Sequence, residues 1–69
     1  MNVRLKYKDE KEFQLSLSVG AKLKDALTMA MGNNKLPADL DLTRLRATRR
    51  GDTVLQNTVL AHGDYISLT

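Results

Sequence analysis

Two short stretches of this chain carry cations at every second position. Arg4-Leu5-Lys6 and Arg44-Leu45-Arg46 each set two basic side chains around one leucine. On an extended strand, positions i and i+2 share a face, so each stretch presents a basic pair. Arginine grips carboxylates and phosphates through a planar fork of donors. Tyr65, alternating with Ile66 in Asp64-Tyr65-Ile66-Ser67-Leu68, adds an aromatic at an outward position. Such a set fits the acidic surface of a larger protein. Nucleic acid is the other class, through phosphate contacts and stacking. The chain holds 11 Lys plus Arg against 8 Asp plus Glu, a formal charge of +3, with 4% aromatic residues. That excess is modest for a dedicated nucleic-acid binder, which favours the acidic protein surface. The plain alternative is a solvated face kept charged for solubility.

Other chemistry has little material. His62 stands two residues before Asp64, and a hydrolytic set would add a serine, but nothing in the spacing brings one within reach. One His and no Cys leave no metal-ligand cluster and no catalytic thiol. The four glycines stand singly, at 20, 32, 51 and 63, so no phosphate-cradling loop exists. No enzyme activity, catalytic residue, metal or cofactor is expected.

The elements that position the cations follow from periodicity. Val3, Leu5 and Tyr7 alternate with polar residues, as do Phe13, Leu15, Leu17 and Val19. Two such runs across the charged break Asp9-Glu10-Lys11 predict a β-hairpin, with Asp9, Glu10 and Glu12 as an acidic tip. Leu23, Ala26, Leu27, Ala30 and Met31 then form one face of a helix, with Met29 at its edge. Gly32-Asn33-Asn34 stops it, and Pro37 discourages continuation. Residues 38–43 read as a loop and 44–49 as a third strand with Leu45 and Ala47 facing in. Arg50-Gly51-Asp52 turns into a short strand over 53–55. Asn57-Thr58-Val59-Leu60 makes a turn that docks Val59 or Leu60 on the core. His62-Gly63-Asp64 turns the chain into a last strand with Ile66 and Leu68 inward.

The predicted order, ββαβββ, makes residues 1–69 one α+β domain with a helix on one face of a mixed sheet. The first and last strands lie parallel at the centre, the hairpin on one side and strand three on the other. Arg4, Lys6, Arg44, Arg46 and Tyr65 then share the uncovered face, within about 5–10 Å of one another. Neither a signal peptide nor a window of about 18 apolar residues is present. A cytoplasmic monomer that inserts into no membrane is expected.

This order, the helix opening Val19-Gly20-Ala21-Lys22-Leu23, and the ending Leu60-Ala61-His62-Gly63-Asp64-Tyr65-Ile66-Ser67-Leu68 resemble the ubiquitin-like β-grasp superfamily. In size and ending the chain looks most like the small bacterial ubiquitin-like proteins encoded with type VII secretion systems. The resemblance implies the β-grasp fold and a protein-interaction role. Ubiquitin and the sulfur carriers act through a flexible Gly-Gly tail, whereas this sequence stops at Ser67-Leu68-Thr69. The expectation is an adaptor, neither conjugated nor a thiocarboxylate carrier. Ubiquitin's apolar patch on the open sheet face is replaced by basic residues, with Arg46 expected at the centre. A nucleic-acid-contacting module of the TGS type is the alternative. A third reading is a subunit whose outer strand, two or four, extends a partner's sheet.

Overall fold

The computed structural model describes residues 1–8 and 11–69. The strands are β1 (Asn2–Tyr7), β2 (Lys11–Ser16), β3 (Ala47–Arg49), β4 (Asp52–Val54) and β5 (Tyr65–Leu68), and α1 (Leu23–Gly32) follows β2. They form one mixed sheet in the order β2-β1-β5-β3-β4. β1 pairs antiparallel with β2 and parallel with β5, which pairs antiparallel with β3. This is the architecture the periodicities predict. Asp9 and Glu10 lie outside the described residues; Lys11, expected in the turn, belongs to β2 opposite Tyr7.

The alternating apolar residues of the strands meet the stripe of α1. Val3, Leu5, Phe13, Leu15, Leu17, Ile66 and Leu68 are buried against Leu23, Ala26, Leu27 and Ala30. Leu60, rather than Val59, docks on this core. Met31 is half-buried against it and Met29 is exposed. Val19 departs from expectation, at 90% exposure. β2 ends at Ser16, and the Ala21 N–H donates to the Ser18 carbonyl across Val19-Gly20. Gly20 takes φ +90°, so this is a turn that needs glycine at its third position. The turn ends the alternation before Val19 can point inward.

Both ends of α1 have identifiable partners. The Asp25 carboxylate accepts from the Lys22 N–H at 2.9 Å. The Leu23 and Lys24 amides donate to the carbonyls of Thr58 and Gln56, both at 3.0 Å, where a free helix would leave them unpaired. At the other end the left-handed residue is Asn34, φ +60°, and not Gly32. Its N–H donates to the Met31 carbonyl and that of Lys35 to the Ala30 carbonyl, completing a Schellman motif. Asn34→Gly is expected to be neutral or slightly stabilising, and Asn34→Ala to cost about 1 kcal/mol, the penalty for a Cβ in this region. Thermal denaturation of the two variants checks the difference.

Candidate docking face

Helix α1 covers one side of the sheet and leaves the other open. By strand parity the open side carries Asn2, Arg4 and Lys6 from β1, Glu12 and Gln14 from β2, Tyr65 and Ser67 from β5, and Thr48 from β3. The register puts Arg4 between Gln14 and Tyr65, and Lys6 between Glu12 and Ser67. Thr48 lies opposite Ser67. Arg4, Lys6 and Tyr65 are therefore assembled side by side, as the alternation predicts.

Arg46 sits just outside β3. Its N–H donates to the Thr69 carbonyl and its carbonyl accepts from the Thr69 N–H, both at 2.9 Å. It extends the β3–β5 ladder by one pair and stands at the edge of the face, not its centre. Thr48 holds the outward position of β3 itself.

Arg44 does not join the sheet. The expected strand over 44–49 is shortened to 47–49 because Asp41 organises a turn ahead of it. The Asp41 carboxylate accepts from the Thr43 N–H at 3.0 Å and the Thr43 hydroxyl at 2.6 Å. The Arg44 N–H donates to the Asp41 carbonyl at 3.2 Å, and its guanidinium lies 3.5 Å from the same carboxylate. Short polar side chains that bond nearby main chain compete with strand pairing, and here they hold Arg44 back. The Thr43 bonds also hold the Asp41 carboxyl below its usual value of 3.8. A depressed carboxylate stabilises the fold above its unfolded value, and that contribution is lost as pH falls through the folded one. In an NMR titration Asp41 is expected to protonate below pH 3.8, and Thr43→Ala to move its midpoint upward.

Glu12 is the residue whose place the sequence does not announce. Instead of extending an acidic tip, its carboxylate lies over the basic face. One oxygen is 3.3 Å from the Arg4 guanidinium, and the other accepts from the Tyr65 hydroxyl at 2.8 Å. That hydrogen bond raises the Tyr65 phenol above its ordinary 10.0, so it stays protonated into more alkaline solution. Tyr65 is 41% exposed and divides two shallow clefts that share Gly63 and Asp64. One, of about 290 Å3, is lined by Arg4, Gln14 and His62. The other, of about 370 Å3, is lined by Thr48, Arg49, Arg50 and Ser67.

His62 and Asp64 are both engaged in holding the fold. His62 Nδ1 accepts from the Asn2 N–H at 3.0 Å. The Asp64 carboxylate accepts from Arg49 at 2.7 Å and from the Ala61 N–H at 2.8 Å. The Arg49–Asp64 bridge ties the β3–β4 hairpin to the turn before β5. Among the described residues no three His, Asp or Glu gather as a metal site. No helix is long and apolar enough to cross a membrane, again among the described residues.

No family model and no curated protein sequence matches the chain. Solved structures do. SAMP1 from Haloferax volcanii superposes with a TM-score of 0.79 at 14% identity, over 100% of this chain and 93% of that one. A second structure, of the small archaeal modifier protein 1 of H. volcanii, gives 0.77 at 15% identity, over 97% and 93%. One described as molecular mimicry of SUMO promoting DNA repair gives 0.76 at 19% identity, over 100% and 89%. The likeness spans 97–100% of this chain, and the chain has the ubiquitin-like β-grasp fold.

Proposed function

We propose that this chain is a non-enzymatic ubiquitin-like interaction module whose open sheet face docks on an acidic surface of a larger protein. The observation that carries the reading is the composition of that face. Arg4, Lys6 and Arg46 stand on or beside it with the carboxylate of Glu12, and among the described residues no large aliphatic side chain holds an outward position of its strands. Partners that bind ubiquitin through aliphatic contacts meet only the Tyr65 ring on this face, among the described residues. Carboxylates gain bidentate contacts with arginine. The module acts as a monomer in a bacterial cytoplasm. Its role parallels that of the accessory ubiquitin-like proteins encoded with type VII secretion, a link that a neighbouring secretion ATPase gene would support.

A zero-length carbodiimide crosslinker tests this directly, because it joins a lysine amine only to a carboxylate in contact. Crosslinking in lysate is expected to join Lys6 to Asp- or Glu-rich peptides of one protein. The charge reversal Arg4→Glu/Arg46→Glu is expected to abolish that product. Crosslinks that survive the reversal, or that fall only on Lys24 of α1, would remove the sheet face as the docking surface. A TGS-like role predicts instead that single-stranded oligonucleotides bind with an affinity falling steeply between two salt concentrations.

A further inference from the structure

The Arg4–Glu12–Tyr65 cluster holds one carboxylate on the open face. Glu12 reaches from β2 over β1, and its two oxygens meet a guanidinium and a phenol 3.3 and 2.8 Å away. Arg4 and Tyr65 face each other directly in the β1–β5 register, so the pair is set by the sheet and does not depend on Glu12. The arrangement is a carboxylate receptor filled by the chain's own carboxylate. It is also a weak closure. The side chains of Arg4 and Glu12 are 53% and 42% exposed, and an exposed pair of this kind contributes little to stability. Glu12 can swing into solvent without leaving a buried group unpaired.

The cleft on the other side of Tyr65 offers a second cation. Arg50 is exposed and makes no ion pair among the described residues. It occupies the first central position of a two-residue hairpin turn, with φ +55° at Arg50 and +83° at Gly51. Asparagine or glycine suits that position better, so arginine is held there against its backbone preference.

We propose that Arg4, Tyr65 and Arg50 form a receptor for an acidic peptide segment of the partner, and that Glu12 occupies its first subsite until the segment displaces it. The segment crosses the start of β5. One of its carboxylates takes the place of Glu12 between Arg4 and Tyr65, and a second meets Arg50 in the neighbouring cleft. The receptor rests on the docking reading above and narrows it to one end of the face and one partner chemistry.

Fluorescein-labelled hexaglutamate is the probe, titrated by anisotropy with amide NMR shifts recorded in parallel. Glu12→Gln removes the competing charge while its amide oxygen still accepts from Tyr65. It is expected to tighten binding about two- to fivefold, the range set by an exposed ion pair. Arg4→Gln and Arg50→Asn are each expected to weaken it at least threefold. Asn suits the turn, so weaker binding by Arg50→Asn reports the lost cation and not lost folding. Shifts are expected at residues 63–65. The inference is overturned if Glu12→Gln leaves affinity unchanged or lowers it, if neither chain binds the peptide, or if an oligothymidylate of equal charge binds more tightly. Peptide shifts spread over Arg46 and Thr48 with no response to Glu12→Gln would sink the receptor while leaving the docking face intact. Retention of the Lys6 crosslinks by Arg4→Glu/Arg46→Glu would sink the docking face itself.

Discussion

Leu5→Ala is expected to remove about half of the protein's stability. Leu5 is fully buried, and its neighbours in the register, Phe13 on β2 and Ile66 on β5, are core residues too. Truncating a leucine in such a place costs about 3–5 kcal/mol, because the transfer free energy of the lost atoms adds to the cavity they leave. A chain of this length has a total stability of about 3–10 kcal/mol. It has no disulfide to offset the loss. The site also has little room to relax, since strands hold it from both sides. Leu5→Ile, which conserves volume, is expected to cost less than about 1.5 kcal/mol. Urea denaturation followed by circular dichroism checks both. A Leu5→Ala protein retaining most of the wild-type midpoint would contradict the place assigned to β1 at the heart of the sheet.

The second large effect concerns Asp64. Its side chain is 12% exposed, and one oxygen takes both the Arg49 guanidinium and the Ala61 amide. Asp64→Ala removes the acceptor from both donors. Arg49, 32% exposed, can recover hydration; the Ala61 amide is left to find water at a tight turn. A loss of about 2–3 kcal/mol follows, within the range for breaking a charge-assisted, partly buried network. Asp64→Asn keeps an oxygen for Ala61 and loses the charge, so about half of that cost is expected. Thermal unfolding separates the two. Hydrogen exchange supplies a local readout: the amides of Ala61 and Gly63 are expected to exchange faster in Asp64→Ala, beyond the global change in stability.

Legibility differed along the chain for physical reasons. The β1–β2 hairpin, α1 and β5 carry strict periods of two or 3.6, and one buried face enforces each of them. Arg44-Leu45-Arg46 has the same period as a strand, yet only its last member pairs. There the deciding interaction is a two-residue polar bond from Asp41 to Thr43, which periodicity does not register. Val19 misled in the opposite direction, because the demand of Gly20 for a left-handed turn outranks one more apolar residue on the alternation. Leu36 joined the core from a segment with no period at all, delivered there by the Schellman turn at Asn34. In the candidate site, Arg4, Lys6 and Tyr65 were readable from alternation alone. The role of Glu12 was not, since it depends on its flexible carboxylate reaching the diagonal cation Arg4, when the residue directly opposite it is Lys6.

The position of β5 has a consequence for how the chain comes together. The middle of the sheet is the strand that leaves the ribosome after the other four. Until residues 65–68 emerge, β1 lacks one neighbour and β3 has no strand joining it to the hairpin. Helix α1 meanwhile waits for the carbonyls of Gln56 and Thr58 before its first amides are paired. Closing the parallel β1–β5 pair joins segments about sixty residues apart in sequence, the kind of non-local contact that slows folding. A nascent chain halted before Tyr65 can form a hairpin and a fraying helix, but it has no route to the β-grasp sheet. Cooperative folding is therefore expected as a single late event, triggered by four residues.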